Sequence, residues 1–317
     1  MGVLFEEPNG NRRCRDMDAI LHLGTEVPSK ESSEKSHVNS SKPLILLKVK
    51  CADHHRQHRR CGVFVVSSRS QSVHAKTRTP LSAAPRTSTF TAVIRLVLFD
   101  IDGTLIRTGG AGVKAFARAF ATEFNLTDGA ERLQFAGRTD TALAREFFLK
   151  NGIEPSAENS SRFFDSYVFW LDYFLARTQG RVIPGVRHFL SQLRALPQPP
   201  IIGLLTGNIR LGAEIKLRHF NLWEVFQTGA FGDDHEERDQ IAAIARQRGS
   251  RLLHENLRGD QILVVGDTPH DIRCGKAIEA KVLAVATGVT TLAQLRKHQP
   301  DWLVEDLREA PARELCQ

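Results

Sequence analysis

The sequence predicts an α/β protein: a doubly wound, Rossmann-like parallel sheet with an inserted α-helical cap domain, behind a disordered N-terminal extension. Three observations carry that reading. Short, continuous apolar runs stand at residues 94–99, 201–205, 262–265 and 282–285, the pattern of strands buried on both faces. Stretches with apolar residues three and four apart separate them, and alternating strands and helices build a parallel sheet with right-handed crossovers. The third observation is an abrupt change of character at residue 93, before which no helical or strand period is sustained.

The extension comes first in chain order. Of 317 residues, 43 are Lys or Arg and 36 are Asp or Glu, a net charge of +7. Residues 1–92 hold 15 of the basic and 8 of the acidic residues, so the whole excess lies there; residues 93–317 carry 28 of each. A balanced remainder offers no electrostatic reason for a nucleic-acid partner. No apolar run is long enough for a membrane span. The five cysteines (Cys14, Cys51, Cys61, Cys274, Cys316) contain no C-x-x-C, so a reducing compartment, the cytoplasm, is the expected location. Between Asp53 and Asp100 there is no acidic residue, and so Ser- and Arg-rich a tract buries too little apolar surface to offset its ordering entropy. An organellar transit peptide is the alternative reading, opposed by Glu6, Glu7, Asp16 and Asp18. Cys51 and Cys61 flank His54, His55 and His58, but the spacing and the arginines between them read as a solvated basic tract rather than a zinc site. Met occurs only at Met1 and Met17, and the expectation is a working protein that starts near Val93.

The strand at 94–99 is followed by a helix at 111–124, with Val113, Phe116, Ala117, Phe120 and Phe124 on one face. The gap before the second strand, 103–199, is far longer than one crossover needs. It holds helical patterns at 139–150 and 157–178. The second of these carries Phe163, Phe164, Tyr167, Trp170, Leu171 and Phe174, a stripe that reads as the core of a separate unit, with a ligand face as the alternative. Pro184-Gly185 marks the return. The expected organisation is an extension at 1–92, an α/β core at 93–107 and 184–317, and a helical cap at 108–183. Helices at 209–220, 237–248 and 270–279 complete the core. Gly109-Gly110-Ala111-Gly112 is a candidate hinge.

Polar residues fall at the strand ends. Asp100 directly follows the first strand, with Asp102 two residues on. Thr206-Gly207-Asn208 follows the second. Gly266-Asp267-Thr268 follows the third, with Asp271 four residues beyond Asp267. Ligands of open α/β sheets bind outside the carboxyl ends of the strands, so one crevice receives Asp, Thr and Asp. Each residue alone is as well read as a turn former, a cap or a satisfied hydroxyl; the conjunction points to a site. Carboxylates gathered in one cleft repel each other, and a divalent cation removes that penalty. No His or Cys directly follows these strands, so the donors are hard oxygens, which favours Mg²⁺ over zinc. Asp100 and Asp267 are the expected carboxylate ligands, Asp102 offers its backbone carbonyl, and Asp271 orients the site or a bound water.

With these motifs the chain resembles the haloacid dehalogenase (HAD) superfamily of phosphohydrolases, over about residues 94–306. Leu98-Phe-Asp-Ile-Asp-Gly-Thr-Leu105 looks like its first motif, Leu205-Thr206-Gly207-Asn208 like its second, and Val265-Gly-Asp-Thr-Pro-His-Asp271 like its fourth. The insert after the first strand is similar to that of members with a helical cap there, phosphoglycolate phosphatases and β-phosphoglucomutases among them. The resemblance implies Asp100 as a nucleophile that forms an aspartyl-phosphate. It implies Asp102 as general acid toward the leaving oxygen and then as base for water, with Thr206, Gly207 and Asn208 at the phosphate. An Asp at 102 argues against the dehalogenase branch.

One motif departs from the pattern. The third is usually a Lys before the helix that leads to the Gly-Asp strand, yet no Lys lies between Lys216 and Lys276. Arg238 is the expected substitute, its fork suiting phosphate, with His235 as runner-up and an ion pair on a solvated helix end as the plain alternative. Glu279 stands where Gly often ends the helix; a positive φ there would cost about 1 kcal/mol. Gly137-Arg138-Thr139-Asp140 offers Arg138 to the substrate, or Thr139 or Asp140 as a helix cap. Cys274 is expected to pack inside a helix and His270 to be a bystander.

The resulting expectation is a Mg²⁺-dependent phosphatase acting through an aspartyl-phosphate on a small organic phosphomonoester such as 2-phosphoglycolate. Its partner is a small phosphorylated metabolite, with no nucleic acid and no membrane, and it works as a monomer or homodimer. The rivals are a sugar-phosphate mutase using the same intermediate and a non-catalytic, Mg²⁺-dependent phosphoacceptor or binding module.

Overall fold

Strand β1 (Leu96–Phe99) is apolar at every position and buried on both sides. Leu96 and Leu98 pack into one hydrophobic cluster and Val97 and Phe99 into another, as the two-residue period of a strand dictates. The structure, a computed structural model, describes residues 93–317; the expectations for residues 1–92 and for a start near Val93 lie outside the described residues. After β1 come β2 (Ile106–Arg107), α1 (Ala111–Phe124), α2 (Asp140–Lys150), α3 (Ala157–Leu175) and β3 (Arg181–Val182). Next are α4 (Val186–Arg194), β4 (Ile201–Leu205), α5 (Arg210–His219), β5 (Thr228–Ala230), α6 (Arg238–Leu253) and β6 (Ile262–Gly266). The chain ends with α7 (Pro269–Ala277), β7 (Lys281–Val285), α8 (Leu292–Arg296), β8 (Trp302–Val304) and α9 (Ala312–Cys316).

Six strands form one parallel sheet in the order β5-β4-β1-β6-β7-β8. One face carries α4, α5 and α9 through Phe189, Leu193, Ala213, Leu217 and Leu315. The other carries α6, α7 and α8 through Ile241, Ala245, Ile272 and Leu295. This is the doubly wound sheet the alternation predicts. The sequence pattern does not mark β5 and β8, which lie at the two edges of the sheet, or the β2–β3 pair. At two or three residues each, they are too short for a period to show.

Between β2 and β3, helices α1, α2 and α3 pack on a core of their own, made of Phe116, Phe120, Phe147, Phe148, Phe163, Tyr167 and Leu171. Edge-to-face rings dominate it, as at Phe116–Phe163 with centroids 4.8 Å apart. The expected stripe on α3 divides: Phe163, Tyr167 and Leu171 are buried, while Phe164, Trp170 and Phe174 cover the margin. The unit joins the sheet through β2 and β3, which pair antiparallel at Ile106↔Val182 and Arg107↔Arg181. Gly109 and Gly110 follow β2 with φ of 65° and 84°, so the chain turns there as L side chains rarely can.

Helix α7 ends in a Schellman motif, with Ala280 N–H donating to Gly275 O and Glu279 N–H to Lys276 O, each at 2.9 Å. Glu279 takes the left-handed position with φ 59°, as the helix-end pattern anticipates. Glu279→Gly is therefore expected to raise unfolding free energy by about 1 kcal/mol, read as a shift of the urea midpoint at constant m.

Candidate active site

The parallel register aligns Phe99 with Leu204 on one side and Val265 on the other. β4 and β6 run one residue past this register, to Leu205 and Gly266, and the residues that follow the three strands, Asp100, Thr206 and Asp267, emerge at one edge. All three are buried. Residues far apart in the chain meet because β1 lies between β4 and β6.

Asp100, Asp267 and Asp271 each bring a carboxylate oxygen within 4.8 Å of the others. Burial pushes the Asp100 carboxyl up to about 7, against the pull of Arg238 and with the push of Asp271 and Asp102. Burial, then Asp271 and Asp100, also hold Asp267 well above the usual carboxylate range. Asp267 is held by Thr104, whose hydroxyl donates to it at 2.9 Å. Gly103 and Gly288 make room for it, since a Cβ at either position would run into its carboxylate. Asp271 closes a capping box with Thr268, accepting from its N–H at 2.9 Å and its hydroxyl at 2.6 Å. Arg238, the first residue of α6, is 4% exposed. It donates to Asp100 at 3.3 Å and pairs with Asp271, so it is no solvated helix end. His235, by contrast, is exposed and turned back on its own loop, accepting from Glu237 N–H. Three buried carboxylates facing one guanidinium leave negative charge uncompensated, and the donors are all oxygen. That set fits a hard divalent cation.

Asp102 stands apart from this cluster. Its Oδ2 accepts from Asn208 Nδ2 at 2.9 Å and from Lys216 Nζ at 2.7 Å. Lys216 also donates to Asn208 Oδ1 at 2.5 Å, and Asn208 Nδ2 to the Thr206 hydroxyl oxygen at 2.8 Å. The four side chains thus form one network. Burial opposes the Lys216 charge, but Asp102 and Asp140 outweigh it and hold its pKa above the ordinary value. The motifs of the sequence do not point to Lys216. Its signal was there: with Gly212, Ala213 and Leu217 it falls on the buried stripe of α5, a place where an unpaired Lys would be costly.

The helical unit covers this edge. Asp140 N–H donates to Gly207 O at 2.8 Å and Ile209 N–H to Asp140 Oδ2 at 3.0 Å. The Thr139 and Thr141 hydroxyls donate to Glu236 O and Gly232 O at 2.9 and 2.7 Å. Thr139 also caps α2 by accepting from Ala142 N–H at 3.2 Å. Gly207 is necessary here, because a Cβ would collide with the Arg138 carbonyl. The Arg138 guanidinium itself pairs with Glu146 at 2.6 Å, at the pocket margin. His270 packs on Gly137, which has φ 72°. Cys274 is buried in α7 and burial pushes its thiol up to about 12. Between the helical unit and the sheet lies a pocket of about 180 Å³, lined by Asp100, Asp102, Thr206, Asn208, Lys216 and Arg238 from below and by Arg138, Asp140 and Tyr167 from above.

Burial pushes Asp140 up to about 6, with Lys216 and the Ile209 N–H pulling the other way. A carboxyl raised in the folded state stabilises at low pH and loses that contribution as pH rises, here between about 4 and 6. Asp140→Asn keeps an acceptor for Ile209. It is expected to remove about 2–3 kcal/mol of the fall in stability across that window, measured by urea unfolding at pH 4.5 and 7.5. An unchanged difference between the two pH values would refute the assignment.

Known proteins share both the sequence pattern and the fold. A pyrophosphatase PpaX of Oceanobacillus iheyensis is 27% identical over 224 residues, 68% of this chain and 94% of that protein. A structure of a predicted phosphoglycolate phosphatase from Haemophilus somnus superposes with a TM-score of 0.56 at 22% identity, over 71% of this chain and 98% of the other. CbbY of Rhodobacter sphaeroides, solved in complex with phosphate, gives 0.55 at 18% identity over 69% and 96%. With the family match running from within β1 to the end of β7, residues 97–285, the chain belongs to the haloacid dehalogenase-like hydrolases.

Proposed function

We propose that this phosphatase hydrolyses a small organic phosphomonoester, of the 2-phosphoglycolate kind, through a phosphorylated Asp100. One observation carries the reading: three adjacent strand ends bring Asp100, Thr206 and Asp267 to one sheet edge, where Asp100 and Thr206 line a single pocket with Arg238. An Asp100 oxygen attacks phosphorus and the ester P–O bond breaks, with Asp102 giving its proton to the leaving oxygen. Water then attacks the aspartyl-phosphate at phosphorus, Asp102 takes its proton, and inorganic phosphate leaves with Asp100 restored. Arg238 and the Thr206 hydroxyl bind phosphoryl oxygens. Arg238 Nε is the one buried side-chain polar atom without a hydrogen-bond partner among the described residues, a donor that an incoming oxygen would satisfy. Mg²⁺, held by Asp100, Asp267 and the Asp102 carbonyl and oriented by Asp271, would supply the charge neutralisation that phosphoryl transfer demands.

The pocket of about 180 Å³ is below the size of common ligand sites, which favours a small leaving group. The helical unit acts as a cap, its Thr139-Asp140-Thr141 segment holding the closed state and excluding bulk water. Phosphate release by the full chain, with and without Mg²⁺, from 2-phosphoglycolate, pyrophosphate, sugar phosphates and nucleotides tests the reading. Mg²⁺-dependent turnover of a small monoester is the expected result. Conversion of one sugar phosphate into its isomer without net phosphate release would make it a mutase, and a single phosphorylation without recycling would make it a phosphoacceptor.

A further inference from the structure

We infer that Lys216 is a positioning residue for Asp102, holding its carboxylate in the one orientation that reaches the leaving oxygen. The inference rests on the reading of Asp102 as general acid and base. The Lys216 side chain is 5% exposed while that of Asp102 is 41% exposed. A carboxylate half in water samples several rotamers, and proton transfer needs heavy atoms within about 2.6–3.2 Å. Here both donors, Lys216 Nζ and Asn208 Nδ2, converge on Oδ2 at 2.7 and 2.9 Å. The carboxylate is thus pinned through one oxygen, and its other oxygen is left for the proton.

Lys216 is itself fixed from two directions. Its stem lies among Ala213 and Leu217 on the buried face of α5, and its ammonium is held by Asn208 Oδ1 at 2.5 Å. Burying an ammonium costs several kcal/mol unless it is paired. An interaction that only tied down the fold would not need a partly exposed carboxylate at the pocket mouth. The Lys216 ammonium is spent on Asp102 and Asn208, whereas Arg238 keeps a buried Nε without a hydrogen-bond partner among the described residues, which separates the two cations.

A double-mutant cycle on the full chain tests this, using kcat/KM, which covers steps up to phosphorylation of Asp100. The substrates are p-nitrophenyl phosphate and phenyl phosphate, matched in size, the second depending far more on a proton for its leaving oxygen. Lys216→Met is expected to cost about tenfold more on phenyl phosphate than on the nitro ester. In an Asp102→Asn background it should cost less than about twofold on either, because the group it positions is gone. Lys216→Arg should recover part of the phenyl phosphate activity. Equal losses on both esters, an additive loss in the Asp102→Asn background, or a rise in KM with kcat unchanged would each overturn the proposal. Should Lys216→Met fail to fold, Lys216→Arg must show the same ester-dependent loss in milder form, and an ester-independent loss overturns it. Asp102→Asn run alone keeps the two readings apart. If it discriminates between the esters and Lys216→Met does not, only the positioning role falls. If Asp102→Asn does not discriminate, the general-acid reading fails and takes the proposal with it.

Discussion

Asp100→Asn is expected to release no measurable phosphate from any ester. The substitution keeps the volume and leaves an oxygen to accept from Arg238, now at 3.3 Å, so the site keeps its shape. What is lost is the nucleophile: an amide oxygen does not form the acyl-phosphate that splits hydrolysis into two easier steps. Burial already disfavours charge at this position, pushing the acid up to about 7, so the neutral amide should not destabilise the fold. Two measurements check the result. Turnover should vanish while the thermal midpoint holds or rises, and the gain of one phosphoryl group seen by mass spectrometry in quenched wild-type protein should be missing. Retained activity in purified Asp100→Asn would refute the nucleophile.

The second large effect is expected from Asp102→Asn, a loss of at least about a hundredfold in kcat, the scale of general acid–base catalysis. An amide of the same shape still accepts from Lys216 and Asn208 at Oδ2's position, but it neither gives nor takes the proton. The variant also strips the buried Lys216 ammonium of its closest counter-charge, leaving Asn208 Oδ1 and the more distant Asp140. The Asp102 side chain is 41% exposed but that of Lys216 only 5%, so solvent screens the pair from one side alone, and about 1–3 kcal/mol of stability should go with it. Single-turnover kinetics separate the roles: slow phosphorylation reports the lost acid, and accumulation of phosphorylated Asp100 reports the lost base. Activity within tenfold of wild type for both steps would remove Asp102 from the chemistry.

Much of this arrangement is legible in the order of residues. β1, β4, β6 and β7 are runs buried on both faces, and such strands have no polar side to blur the pattern. The residues after β1, β4 and β6 stand out because an Asp, a Thr and an Asp interrupt apolar runs where ligands of such sheets bind. Arg238 stands out through an absence, the missing Lys before α6. The edge strands leave no mark of their own: Thr228–Ala230 and Trp302–Val304 are three residues long, and their pairing depends on a neighbour rather than on their own composition.

The fold class and the identity of the acidic residues at the strand ends thus follow from local pattern, because burial on two faces and the carboxyl-end rule both act within a few residues. Partnerships do not. The Lys216 contact to Asp102 spans 114 residues and the Ile209 contact to Asp140 spans 69, and the Arg138 guanidinium lies against Glu146 although nothing in its neighbourhood says so. Which cation faces which carboxylate is set by how α5, α6 and the helical unit pack against one sheet edge, and distances of a few ångströms between remote segments exist only once that packing is complete.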